Sequence, residues 1–299
     1  IPFLTLGYGS ILDGVTEPNE YITIPNSFLH TNFRLDSDGE TLFLSSSDED
    51  ILDSVNVIEL ETDMSFGRES EGNDWGLYSE PTPGTSNSNL SYEGSLSLPG
   101  LSLESGFYDS NQLQIELESN DDEASIHFTL NGSPPTPSDL EYEYPITINS
   151  STVVRARSFL DGWVKSNITT KTYLLGEDPP PGLPAIFIST DPNSFFDEDT
   201  GMYMMGPNAN TWDFPYFGAN FWEDWERPIH FEILEVDGTG YDADAGVKIF
   251  GGWSRAFPQK SLSIFSRSHI GPSVFEYKLF PNSDINNYES FVLRNSGND

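Results

Sequence analysis

Five basic side chains, Lys248, Arg255, Lys260, Arg267 and Lys278, fall within 31 positions, and between Ala245 and Lys278 the only acid is Glu276. The chain as a whole holds 48 Asp and Glu against 13 Lys and Arg, so a basic window of this kind needs a physical reason. Two are open: a core-facing set of salt bridges, or a place where an anion such as a nucleotide phosphate docks. The run Gly246-Val247-Lys248-Ile249-Phe250-Gly251-Gly252-Trp253-Ser254-Arg255-Ala256-Phe257-Pro258-Gln259-Lys260-Ser261-Leu262-Ser263-Ile264 reads as strand, glycine turn and strand. Gly251-Gly252 allows close backbone approach, Ser254 offers a hydroxyl, and Arg255 and Lys260 supply the positive charge that phosphoryl oxygens require. With Lys248 on the strand before the turn, these are the candidate phosphate-binding residues. The order is not that of a Walker A loop, since no GxxxxGK[ST] is present.

Other groups are less directive. Trp212, Phe214, Tyr216, Phe217, Phe221, Trp222 and Trp225 form an aromatic stretch that suits core packing, a sugar platform or a partner surface, and core packing is the simpler reading. Asp197-Glu198-Asp199 and Asp237, Asp242 and Asp244 carry oxygen ligands of the kind Ca²⁺ takes, but neither set fits the EF-hand loop and both read as solvated turns. No metal site is expected. His30, His127, His230 and His269 are scattered, with no HExxH and no evident triad partner. Asp121-Asp122-Glu123 sits in a turn-like run and reads as a charge cluster in water, not as paired glycosidase carboxylates.

The elements that must hold these residues are β. The length of 299 residues suggests two or three domains, each large enough for its own core. Aromatics at 13%, with 21 Phe and 13 Tyr, indicate a folded chain. A net charge of -35 argues against nucleic acid and anionic lipid surfaces as partners, and the absence of Cys removes disulfides, thiolate metal sites and cysteine nucleophiles. No apolar run of about 18 residues is present, so no membrane span is expected. Residues 80–100, rich in Pro, Gly, Ser and Asn, read as a linker, as do 176–184 with Pro179-Pro180-Pro181. They divide the chain into 1–88, 100–175 and 183–299. Period-2 runs at 113–117, 125–130 and 152–158 predict strands, and Asn131-Gly132 and Asp161-Gly162 predict hairpin turns. In the third segment strands are predicted at 185–189, 229–236, 247–250, 261–266 and 291–293, with one helical candidate near 217–225. The chain begins at Ile1 without Met and stops at Asp299 just after Phe291-Val292-Leu293-Arg294, so it is expected to be a piece of a longer protein.

Three resemblances follow from particular motifs. Leu29-His30-Thr31-Asn32-Phe33-Arg34-Leu35, Asp38-Gly39-Glu40, Ile51-Leu52-Asp53, Ser65-Phe66-Gly67-Arg68 and Pro81-Thr82-Pro83-Gly84-Thr85-Ser86-Asn87 make 1–88 similar to the lamin tail domain, an immunoglobulin-like β-sandwich. That resemblance implies an attachment module without catalysis, and Arg68 is expected to pair internally with a carboxylate. Ser125-Ile126-His127-Phe128-Thr129-Leu130-Asn131-Gly132-Ser133-Pro134-Pro135-Thr136, with Tyr144-Pro145-Ile146, the 152–158 run and Gly162, makes 100–175 resemble the β-sandwich appended to chitobiases and hexosaminidases. It implies a spacer or scaffold. Leu183-Pro184-Ala185-Ile186-Phe187-Ile188-Ser189-Thr190, Thr200-Gly201-Met202-Tyr203, Trp225-Glu226-Arg227-Pro228-Ile229-His230-Phe231-Glu232, the Gly-Gly-x-Ser-Arg run with Pro258 and Lys260, and Phe291-Val292-Leu293-Arg294-Asn295-Ser296-Gly297-Asn298-Asp299 make 183–299 similar to the CotH spore-coat kinase family.

The CotH resemblance implies an atypical, kinase-like α+β domain that moves the γ-phosphoryl of ATP to Ser residues of proteins with a divalent metal. Only its β-rich N-terminal part would be present. Carried onto this sequence, it places Arg255 and Lys260 toward the ATP phosphates, with Ser254 and Lys248 beside them. Gln259 stands where the family usually has another base. The acidic metal ligands and catalytic acid would lie beyond Asp299, so ATP with Mg²⁺ or Mn²⁺ is expected for the complete domain and little nucleotide binding by this chain alone. The expected architecture is mainly β, with two immunoglobulin-like sandwiches before the kinase-like part. The expected parent is a secreted or cell-surface bacterial protein phosphorylating Ser in extracellular or envelope proteins, with further surface or matrix contacts through the sandwiches. The alternative expectation is a non-catalytic surface, adhesion or structural protein with a pseudokinase-like CotH domain.

Overall fold

The computed structural model describes residues 39–46, 50–58, 60, 64–68, 74–78, 82, 86–87, 91–280 and 282–295. The motif at 29–35, His30, Asp38, Pro81, 83–85 and the closing 296–299 lie outside the described residues. The described chain is mainly β and falls into two compact units, one reaching to Ser95 and including Asp161–Val164, the other holding Leu96–Leu160 and everything from Lys165 onward. Among the described residues no helix is long and apolar enough to cross a membrane.

In the first unit β1 (Glu40–Ser45) runs antiparallel to β2 (Ile51–Val57), and β3 (Ser65–Arg68) antiparallel to β4 (Trp75–Tyr78). Gly39 enters β1 at a φ of 92°, a conformation that glycine adopts at no steric cost. Arg68 does pair internally: its Nη2 donates to both carboxylate oxygens of Asp53 at 2.8 and 2.9 Å, and its guanidinium lies 4.9 Å from the Trp75 ring centre. The ion pair is half exposed, so it contributes at most about 1 kcal/mol. Part of the stretch read as a linker is docked, since Tyr92 bridges to Leu77 and Ser95 to Val164.

The second unit opens with β5 (Gly100–Leu101), β6 (Gly106–Tyr108), β7 (Leu113–Ile115), β8 (Leu117–Glu118), β9 (Ser125–Thr129), β10 (Leu140–Glu141), β11 (Ile146–Ile148), β12 (Thr152–Phe159) and β13 (Thr169–Leu175). Five of these form a sheet in the order β10-β9-β12-β13-β6, while β11 pairs with β7 and β5 with β8. Alternation along β12 decides the layering. Val154 and Ala156 are fully buried with Ile115, Ile126, Ile148 and Tyr173 in one apolar core, whereas Arg155 projects from the opposite face. The predicted run at 113–117 is split at Glu116, whose N–H bonds the Ser102 hydroxyl instead of a neighbouring strand. Gly132 and Gly162 have φ of 86° and 80°, as turn glycines should, but neither closes a two-residue hairpin. Pro134-Pro135 follow Gly132 and bring no N–H to a ladder, so the chain makes a longer loop before β10.

The remainder holds β14 (Ala185–Ser189), α1 (Pro192–Phe196), β15 (Arg227–Leu234), β16 (Gly240–Phe250), β17 (Ser261–Phe265), β18 (Phe275–Glu276), β19 (Asn287–Tyr288) and β20 (Ser290–Leu293). Its sheet runs β14-β15-β16-β17-β20, antiparallel throughout. Ile229, Phe231 and Ile233 share one face with Ala243, Ala245, Val247, Ile249, Leu262 and Ile264 and form the core. The strand at 247–250 is the end of the longer β16. The helical candidate near 217–225 is only a 3-10 turn, Asn220–Trp222, because Gly218 with φ 86° blocks a helical start and the chain soon enters β15. The helix that does form, α1, follows a standard cue: Asp191 accepts from the Asn193 N–H ahead of Pro192.

Segments 100–175 and 183 onward share this second unit, and polar groups line their contact. Thr172 Oγ1 donates to Glu232 Oε1 at 2.6 Å with both residues buried, and the Phe107 and Phe187 rings are 6.0 Å apart. His230, on the same face as Glu232, has Nδ1 2.8 Å from Asp244 Oδ1 and donates there when that nitrogen carries the hydrogen. One local test concerns Gly206, at φ 69°, where a Cβ would overlap the buried side chain of Asn220. Asn220 Nδ2 donates to the carbonyls of Asp199 and Gly201, both at 3.0 Å. Gly206→Ala is expected to cost roughly 2–3 kcal/mol, from the left-handed backbone and the displaced amide, read as a lower urea midpoint.

Candidate functional site

Ser254, Arg255 and Lys260 are gathered around one turn. β16 ends at Phe250, Gly251 takes a φ of 114° that a side chain would strain, and Trp253–Ala256 form a single 3-10 turn before β17. Arg255 folds back over this turn: Nε donates to the Gly251 carbonyl at 2.8 Å, and Nη1 lies 3.5 and 3.4 Å from the carbonyls of Phe221 and Trp222. Lys260 closes it from the other side, with Nζ donating to the carbonyls of Arg255 at 2.5 Å and Phe257 at 3.1 Å. These are carbonyls that a short helix leaves without intrahelical donors, so the amine acts as a C-terminal cap. The outer side of Gly252 is open, with no heavy atom near the position a Cβ would take.

Lys260 is 8% exposed, sits 4.0 Å from the Phe221 ring centre, and has no described carboxylate in salt-bridge range. Burial pushes its pKa down to about 8. Between pH 8 and the ordinary lysine value the unfolded chain binds the proton that the folded chain has released, so stability rises with pH across that interval. The difference in unfolding midpoint between the natural chain and Lys260→Met should therefore shift toward the natural chain from pH 7.5 to pH 10. A difference that stays flat would show that the carbonyls and ring hold the ammonium at its usual pKa.

Lys248 lies apart from this turn. Its Nζ is 3.1 Å from Asp224 Oδ1 and 3.8 Å from Glu226 Oε2, and Arg267 grips the same Glu226 with Nε at 2.6 Å and Nη2 at 2.8 Å. The Arg267 fork, backed by Lys248, holds the Glu226 carboxyl below the usual carboxylate range. The basic window thus contains one of the arrangements open at the outset, carboxylate pairs at Lys248 and Arg267, and a different one at Arg255 and Lys260, which bond backbone carbonyls. Two participants have no obvious local signal. Glu226 acts from 41 positions before Arg267. Asn295 reaches the turn from β20, its N–H bonding Ser261 Oγ at 3.1 Å and its Nδ2 donating to the Gln259 carbonyl at 2.7 Å.

Asp197 and Asp237 head turns, whereas Asp242 and Asp244, also expected in a turn, lie in β16, with Asp244 against His230. Asp197 Oδ1 accepts from the Asp199 N–H and from both the N–H and hydroxyl of Thr200, and Asp237 Oδ1 accepts from the Thr239 N–H and hydroxyl. These donors hold both carboxyls below the usual range. The aromatic stretch divides: Phe221 is buried with Trp222 and Trp225 packed against the core, while Trp212, Phe214 and Phe217 are exposed.

Ahead of this site, the sequence of β6 to β13, with its core on one face and the buried Arg155 on the other, decides a comparison. Residues 103–170 match the chitobiase/beta-hexosaminidase C-terminal domain. The match covers less than a quarter of the chain and therefore names that domain only. Within the chitobiase-type domain Arg155 Nη1 donates to the Gly132 carbonyl at 2.8 Å, which ties the 131–139 loop to β12. Glu104 and Lys171 form a salt bridge at 2.8 Å near its ends. No curated protein matches the chain.

Proposed function

We propose that the chain joins a lamin-tail-like sandwich over 1–88, a chitobiase-type sandwich over 100–175 and the β-rich part of a CotH-like, kinase-like domain over 183–299, in a secreted or surface protein that moves the γ-phosphoryl of ATP to Ser. The observation that carries this reading is the meeting of two distant sequence blocks at one turn. Asn295, from the Leu-Arg-Asn block, is bonded to Gln259 and Ser261, beside Arg255 and Lys260 of the Gly-Gly-x-Ser-Arg block. Phosphoryl transfer depends on positioned charge more than on covalent help, and a glycine turn with an open outer side and two fixed cations is suited to hold an anion. ATP would thus meet the Gly252 backbone, Ser254, Arg255 and Lys260. Metal is a different matter: among the described residues no group of three or more His, Asp or Glu is placed to hold one. No step through Mg²⁺ or Mn²⁺ is assigned to these residues.

A second reading, a non-catalytic surface or adhesion protein with a pseudokinase-like domain, draws on the carbonyl contacts of Arg255 and Lys260, which give both cations a purely structural use. One experiment separates the two. ATP-dependent labelling of Ser-containing protein, measured with the whole protein that carries this chain, should fall ~10-fold or more in Arg255→Ala and in Lys260→Ala. Unchanged labelling in both variants removes them from the site, and no labelling by the natural protein with either metal favours the non-catalytic reading.

A further inference from the structure

The exposed half of the aromatic stretch is organised. The Phe214 ring lies 5.8 Å from Tyr216, 5.9 Å from Trp253 and 6.2 Å from Phe257, so residues of two separate loops form one group. Phe214 is 47% exposed and Trp253 62%, and Phe217 and Trp212 on the same loop are 56% and 93% exposed. Single exposed rings are ordinary, whereas a contiguous set marks a contact surface. The loop is fixed by its own bonds: Asn210 N–H to the Phe217 carbonyl, Tyr216 N–H to the Asp213 carbonyl, both 2.8 Å, and Trp222 Nε1 to the Pro215 carbonyl at 2.9 Å. Tyr216 holds a φ of 62°, a conformation that bulky residues rarely take and that concentrates at functional sites.

Charge decides the occupant. Asp213 and Glu223 are exposed on this loop, while Asp224 beside them is already engaged by Lys248. The basic residues of the adjoining turn, Arg255 and Lys260, already bond carbonyls of that turn. The surface therefore offers aromatic faces and carboxylates. The chain already satisfies its own cations this way, with Arg227 4.8 Å from the Trp225 ring centre and Arg267 4.7 Å from Phe265. We infer that the Phe214 and Trp253 surface docks an arginine-bearing segment of another polypeptide. This does not rest on the nucleotide reading.

The test uses the whole chain and a fluorescent peptide of alternating Arg and Ser, followed by anisotropy at physiological salt without nucleotide. Trp253→Ser and Phe214→Ser keep the net charge, and each should weaken binding by roughly 5-fold or more, with the citrulline version of the peptide failing to bind. Trp212→Ser, at a nearly fully exposed position, supplies a variant whose fold is safe and should weaken binding in the same direction. Equal affinity across the three variants would show only diffuse attraction of cations to an acidic chain and would overturn the inference. So would ring-dependent binding of a glucosamine oligomer in place of the peptide.

Discussion

Phe231→Ala should lower the stability of the second unit by about 3–5 kcal/mol. Phe231 is 1% exposed and its ring meets Tyr241, Phe275 and Phe291 at 5.9, 5.1 and 5.5 Å, so it joins β15, β16, β18 and β20 through one side chain. Truncation removes the transfer energy of a large ring and leaves a space that four elements cannot jointly collapse into. Urea unfolding of the whole chain, with hydrogen exchange at β15 to assign the transition, measures it. Phe231→Leu should lose less than half as much, and equal losses would mean that the edge-on ring contacts, not the filled volume, carry the effect.

Arg155→Ala carries the second large effect, about 3 kcal/mol, from a buried carbonyl left without its charged donor and the lost packing of the side-chain stem. The guanidinium is 8% exposed and donates to the Gly132 carbonyl at 2.8 Å and Thr170 Oγ1 at 3.3 Å. Burial pulls its pKa down, and Asp244 of β16 and Asp191 at the α1 N-cap offset this only in part. Its loss strands the Gly132 carbonyl and empties the space the side chain fills. Arg155→Met fills the space without a charge and should recover a large part of the loss. If Met is as damaging as Ala, the polar contacts matter more than the volume. Salt should change either result little, because the group is buried.

Much of the strand pattern was legible because alternation reports which face a side chain takes. Val154 and Ala156 flank Arg155 in sequence and lie on the opposite face, and the Ser-Leu-Ser-Ile alternation marked 261–266, a strand that ends at Phe265 and is buried on both faces. The candidate turn was legible from Gly251-Gly252 and the scarcity of acid around it. What sequence could not show was how the charges are used. Lys248 and Arg267 depend on Glu226, and Arg255 and Lys260 on backbone carbonyls, which carry no residue identity. Asn295 lies 34 positions from its partner Ser261, a separation at which no local period operates. The Asn131-Gly132 hairpin failed because the prolines after it outweigh the turn preference. The helix over 217–225 failed because its aromatic spacing serves tertiary packing.

The last strand of the second sheet has a kinetic consequence. β14 aside, β15, β16 and β17 are joined by short connections and pair in sequence order, whereas β20 reaches β17 only after 266–289 have been placed. Pairings that close long loops form later than local ones. The three-stranded meander is thus expected to assemble first, with the Gly251 turn already drawn but its far side still unpinned. Docking of β20 then brings Asn295 onto Gln259 and Ser261 as Phe291 closes on the core, so the geometry around Lys260 is completed by the final step of folding, and any loosening of that strand would be felt at the turn and at the core together.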